Sequence, residues 1–228
     1  MSQYLLWLFI VFALGNWLSV SKSLKRLEYL TKPAAILTLL AWLWSVSSFE
    51  GRLAWFAAGL VFSLAGDIFL LLPKERFIAA WLAFLSAHIC YVIGFNPTIP
   101  PINLASLLLT VAVGLVALRL IRVIFAGLQS SGDSSLQIPV SIYSFVISVM
   151  LLSALITLVR ADWLEGPALM VSAGALLFFL SDAVLALNRF TAPIRRSRLI
   201  IMSTYHIGQA LIITGSFLHY ALLANSLR

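Results

Sequence analysis

Asp67 and Asp182 are the acidic residues of this chain that lie inside long apolar runs; Glu28, Glu50, Glu75, Asp133, Asp162 and Glu165 fall in polar breaks or at the ends of runs. A charged side chain in hydrocarbon costs at least ~2.5–3.5 kcal/mol. Two such groups therefore predict a polar cavity, a shared proton or cationic partners. Carboxylates brought close together separate in acidity, leaving one acid and one base at neutral pH. That division suits a hydrolysis in which one group gives a proton and the other activates water.

The surroundings of the two aspartates can be laid over each other, AGLVFSLAGDIFLLLP (58–73) on AGALLFFLSDAVLALN (173–188), at an offset of 115 residues. An even number of spans separates them, so both run the same way through a membrane and suggest a weak parallel internal repeat. Such a repeat would carry Asp67 and Asp182 to one depth, facing each other. Each aspartate stands six residues before a polar break, at Pro73 or Asn188, or about 9 Å along a helix. Gly59, Ser63 and Asp67 form a face of small residues that would let another helix approach closely.

Other polar side chains gather near this level. Lys32 precedes Pro33, which suits the first turn of a helix, and can neutralise an aspartate or hold a phosphate. Tyr143 lies in the sixth apolar run, and Tyr205, His206 and Gln209 in the eighth. His88 and Tyr91 lie deeper in the fourth, with Trp81 and Phe84 on the same side. Each has a plainer reading as an interhelical hydrogen bonder or a packing ion pair. His219, near the opposite surface, reads as an interfacial histidine. No H-x-x-x-H or C-x-x-C motif occurs, so no metal site is expected. Neither Ser63 nor Ser181 sits in a G-x-S-x-G elbow.

The elements that must hold these groups are membrane spans. Of the 228 residues 62% are hydrophobic and 10% charged, with a mean hydropathy of +1.04. That is more apolar surface than a soluble domain of this size can bury. The apolar runs exceed ten residues and do not alternate, which argues against a β-barrel. Eight spans are expected, at 4–21, 33–49, 53–72, 77–95, 102–124, 138–159, 165–187 and 199–222. The fold class is all-α, a polytopic transmembrane bundle forming one domain over 1–228, with the repeat relating spans three and four to seven and eight. No Lys or Arg precedes Lys22, so the first span reads as retained rather than as a cleaved leader. Twelve of the fifteen basic residues fall on one side, against Arg52, Arg160 and Arg228 on the other. The positive-inside rule then puts both termini outside the cytoplasm and the aspartates near the cytoplasmic face, where Pro73-Lys74-Glu75-Arg76 would form a rim. The net charge of +7 is explained by this asymmetry and suits anionic headgroups. It gives no support to a nucleic-acid partner. The lone Cys90 excludes an intramolecular disulfide.

FSLAGDIFLLLP, FIAAWLAFLSAHICYV, GALLFFLSDAVLALNRF and STYHIGQALI, together with Lys32-Pro33 and Tyr143, resemble the YhhN family of membrane proteins, which includes the lysoplasmalogenases. The resemblance implies hydrolysis of the vinyl ether bond of a lysoplasmalogen to a fatty aldehyde and glycerophosphoethanolamine or glycerophosphocholine. It implies Asp67 and Asp182 as the catalytic pair, with Lys32, His88, Tyr91, Tyr143, Tyr205, His206 and Gln209 binding substrate or supporting them. Ser63, Gly66, Ser181 and Asn188 match as structural support. Neither metal nor organic cofactor is implied; the partners are a lysophospholipid and membrane lipids, in a bacterial inner membrane. The alternative on the same residues is a proton-coupled transporter or lipid exporter, in which the aspartates carry protons.

Overall fold

Apolar runs of about 20 residues have one way to satisfy their backbone in lipid as separate segments, the α-helix. In the computed structural model, which describes residues 2–72 and 76–226, the chain forms α1 (Ser2–Ser21), α2 (Lys25–Ser47), α3 (Leu53–Leu71), α4 (Phe77–Phe95), α5 (Leu104–Ser131), α6 (Gln137–Ile156), α7 (Glu165–Phe190) and α8 (Ser197–Ser226). Short 3-10 turns, Ser134–Leu136 and Thr157–Val159, bracket α6. All eight helices are long and apolar enough to span a bilayer, and there is no strand among the described residues. The protein is an integral, multi-pass membrane protein. Pro73, Lys74 and Glu75 of the expected rim lie outside the described residues.

Two boundaries depart most from expectation. Helix α2 starts at Lys25 rather than at 33, so Pro33 lies inside it and Lys32 is not in its first turn. Helix α5 runs on to Ser131 rather than ending at 124. Hydropathy marks the hydrocarbon, whereas a helix continues through polar residues beyond it; α2 begins just after Ser23, which sits at φ +56°, with no side-chain cap. The α5 cap is Gly132 at φ +80°, a left-handed conformation that costs glycine least. At its other end Asn103 and Ser106 form a reciprocal capping box, with Ser106 N donating to Asn103 Oδ1 at 2.8 Å and Asn103 N to Ser106 Oγ at 3.0 Å.

The polarity of the bundle is inverted relative to a soluble protein. Large apolar side chains such as Trp7, Leu104 and Phe145 face outward, while Asn16, Ser63, Asp67, His88, His206 and Gln209 are buried. The helices pack chiefly as neighbours in sequence, α1 on α2, α3 on α4, α5 on α6 and α7 on α8, and α8 closes against α1, α2 and α3. Helices α7 and α8 touch backbone to backbone: a Cβ on Gly174 would lie 2.8 Å from Gly208 O, and one on Gly208 would lie 2.8 Å from Gly174 O. Close approach through small residues is how helices associate where lipid removes the hydrophobic drive. This seam fixes α8, which carries Tyr205 and Gln209, against α7, which carries Asp182.

Candidate active site

Asp67, with 2% of its side chain exposed, holds Lys32 Nζ at 3.1 Å on Oδ1 and accepts from Tyr205 Oη at 2.8 Å on Oδ2. A buried carboxylate needs such compensation, and the ammonium supplies it. Four residues along α8, Gln209 accepts from Tyr91 Oη at 2.7 Å and donates to Ser63 Oγ at 2.9 Å. The i, i+4 spacing of Tyr205 and Gln209 thus meets the i, i+4 spacing of Ser63 and Asp67 on the facing helix α3. Two glycines on α3 make room for α4: a Cβ on Gly59 would fall 2.1 Å from the Tyr91 ring, and one on Gly66 2.7 Å from the Phe84 ring.

Asp182 has a separate set of partners. Tyr143 Oη donates to its Oδ2 at 2.5 Å, and His88 Nε2 lies 3.2 Å from both that oxygen and Tyr143 Oη. His88 Nδ1 has no hydrogen-bond partner among the described residues. A proton on Nε2 therefore gives the carboxylate a second donor, whereas a proton on Nδ1 has no acceptor. Trp81 stacks on Tyr143 with ring centroids 5.1 Å apart and 26° between planes, which fixes the phenol's aim.

The two aspartates are not bonded to one another. They lie within electrostatic reach, but each is satisfied by its own set of donors. Phe178, one helical turn before Asp182, packs against both sets, 4.8 Å from the His88 ring and 5.3 Å from Tyr205. Their exposure also differs. Asp182 has 11% of its side chain exposed and lines a narrow cleft with Trp81, Phe84, Tyr143, Ser144 and Phe179; Asp67 does not line it. The cleft is walled by α4, α5, α6 and α7, with Leu70 of α3, and is almost wholly apolar. Apart from Tyr143 and Asp182, its polar wall is made of Ser144 and Ser148 on α6.

Of the remaining sequence-selected residues, His206 belongs to neither set. It is buried and turned toward α1, where Trp17 Nε1 donates to its Nδ1 at 3.1 Å and the two rings stack. Ser181 Oγ donates to Ile201 O at 3.0 Å, tying α7 to α8, and Asn188 Oδ1 accepts from Ile194 N at 2.9 Å, ordering the connection between them. His219, read as interfacial, is buried and stacked on Trp163 with centroids 3.9 Å apart. Phe178, Trp17 and Ser144 escaped the sequence reading, because a Phe, a Trp or a Ser within an apolar run carries no signal that sets it apart from core.

A model of the YhhN family matches residues 27–216. Human lysoplasmalogenase TMEM86B is 32% identical over 185 residues, 80% of this chain and 72% of that protein. Human lysoplasmalogenase TMEM86A is 34% identical over 157 residues, 68% of this chain, and this chain spans 61% of TMEM86A. A membrane protein designated YhhN from Escherichia coli O157:H7 is 29% identical over 231 residues, 94% of this chain and 100% of that protein. No solved structure matches. With a family model matched over most of its length, the chain belongs to the YhhN family.

Proposed function

We propose that this protein is a lysoplasmalogenase, which hydrolyses the vinyl ether of a single-chain glycerophospholipid to a fatty aldehyde and a glycerophosphodiester alcohol. The observation that carries the reading is Asp182, anchored by Tyr143 and His88 and set in the wall of an apolar cleft. The names of the human relatives point to the same chemistry.

A vinyl ether is electron-rich at its β-carbon, and protonation there is the demanding step. Asp182 Oδ2 is occupied by Tyr143 and His88, while Oδ1 has no hydrogen bond among the described residues. The proton carried on Oδ1 passes to the β-carbon and leaves an oxocarbenium ion beside the newly formed carboxylate, which stabilises it. Water adds to the α-carbon and gives its proton back to Asp182, producing a hemiacetal. Asp182 gives that proton to the ether oxygen as the C–O bond breaks and takes the proton of the hemiacetal hydroxyl, which yields aldehyde and alcohol and restores the acid. His88 Nε2 and Tyr143 Oη, both on Oδ2, hold the carboxylate through its change of charge. Asp67 is the second member of the pair: its charge is balanced by Lys32, and it holds α2, α3 and α8 together behind the cleft.

The substrate enters sideways from the cytoplasmic leaflet, its tail among the cleft's apolar side chains and its phosphate at the basic end of the bundle. Both termini lie on the opposite side, in a bacterial inner membrane. Purified protein in detergent should release aldehyde from a lysoplasmalogen with no ion gradient present. A proton-coupled transporter would release none, and that outcome would end the hydrolase reading.

A further inference from the structure

Ser144 is the one hydroxyl of the cleft wall that its own helix leaves unused. Serines within helices ordinarily bond back to a carbonyl one turn earlier. On α6, Ser141 Oγ does so to Gln137 O at 2.8 Å and Ser148 Oγ to Ser144 O at 2.6 Å. Ser144 Oγ has no hydrogen bond among the described residues, although the residue is only 9% exposed and lines the cleft. Its neighbour Phe145 is 69% exposed on the lipid side, so residue 144 belongs to the inner face of α6. A hydroxyl in apolar surroundings is costly without a partner.

The helix register sets this hydroxyl opposite the acid. Tyr143 Oη, next in the chain to Ser144, donates to Asp182 Oδ2 at 2.5 Å, and Ser172 Oγ donates to Ala154 O at 2.9 Å. Helices α6 and α7 run antiparallel, so these two ties place Ser144 level with Asp182. Toward the cytoplasmic end the cleft wall on α7 continues to Phe190, eight residues on, or about 12 Å.

We propose that Ser144 reads the free glycerol hydroxyl of the single-chain substrate and so selects against two-chain lipids; this rests on the hydrolase reading. With the vinyl ether at Asp182, the tail offers Ser144 no partner and the phosphate lies toward the rim. Between them, the group that both donates and accepts is the secondary hydroxyl, five bonds from the carbon that is protonated. A fatty ester at that position has no donor and would drive a second chain into the wall that Ser144 forms.

The test compares kcat/KM for the full-length protein and Ser144→Ala in detergent, with an alkenyl lysophospholipid and its 2-deoxy analogue. Alanine is a good helix former, and turnover of the 2-deoxy lipid reports that the variant is folded. The wild type should prefer the hydroxyl substrate by about tenfold, the size of one uncharged hydrogen bond lost at a buried group. Ser144→Ala should lose that factor on the hydroxyl lipid and nothing on the 2-deoxy lipid, which abolishes the preference. Equal losses on both lipids would make Ser144 a group acting on water or on packing, and would overturn the assignment. A preference that survives in Ser144→Ala would overturn it too. No aldehyde from either lipid with wild-type protein would instead remove the hydrolase reading on which the assignment rests.

Discussion

Replacing Lys32 by Met while leaving Asp67 in place should destabilise the bundle strongly, and replacing both should restore most of the loss. The pair stands at 3.1 Å with 6% and 2% of the two side chains exposed. At an effective dielectric of ~20 their attraction is about 5 kcal/mol, set against the cost of burying both charges. The net value of the intact pair is therefore small, whereas a single partner left behind costs ~3–5 kcal/mol. Tyr205 still donates to Asp67 after Lys32 is lost, which places the expected loss toward the lower figure. In a thermal unfolding assay in detergent, followed by the fraction that remains monodisperse, Lys32→Met should lower the midpoint by on the order of 10 °C. Asp67→Asn alone should do likewise. The double variant Lys32→Met/Asp67→Asn should lie closer to wild type than either single. If the two losses simply add, the residues are not coupled and the reasoning about the ion pair fails.

Tyr143→Phe keeps the ring that stacks on Trp81 but removes the 2.5 Å bond to Asp182. Its kcat should fall roughly 10–100-fold, with the thermal midpoint little changed. Gly59→Leu must displace the Tyr91 ring, since even a Cβ would lie 2.1 Å from it; the variant should be destabilised, as measured by the same unfolding assay. Outside the spans, hydrogen bonds from Arg160 hold the Asp162 carboxyl below the usual carboxylate value of 3.8. A carboxyl lowered in the folded state contributes stability above its unfolded value and loses it as pH falls through the folded one. The midpoint of Asp162→Asn should therefore lie below wild type at pH 7, and the gap should close below about pH 4. Reporters fused to either terminus should both read extracytoplasmic, as the distribution of basic residues requires.

The aspartates were legible in the sequence because a charge inside an apolar run is rare and expensive, Lys32, Tyr143 and Tyr205 because few other polar groups share their level, and His88 because a histidine deeper in an apolar run is itself uncommon. What could not be read was the pairing. The repeat suggested Asp67 and Asp182 facing each other, yet each is satisfied by its own donors, and Phe178 packs against both sets. A phenylalanine in an apolar helix gives no sign of that position. The difference in access also escaped the sequence, since only the packing of the helices puts Asp182 in a cleft wall and leaves Asp67 out of it. His206, grouped by type with the site, turns toward Trp17 because α1 packs against its side of α8. Helix existence followed from hydropathy, but the start of α2 and the end of α5 did not, because both helices run on through polar residues beyond the apolar stretch, α5 as far as its Gly132 cap.

The central claim is that Asp182 delivers the proton to a vinyl ether. Aldehyde release from a lysoplasmalogen by purified wild-type protein and by Asp182→Asn, each checked for a monodisperse fold in detergent, tests it most directly. Asparagine preserves the shape of the side chain and accepts from Tyr143, but it has no acid proton to give. The account predicts release by the wild type and a loss of at least about 100-fold in Asp182→Asn; a folded Asp182→Asn that releases aldehyde at the wild-type rate would contradict it.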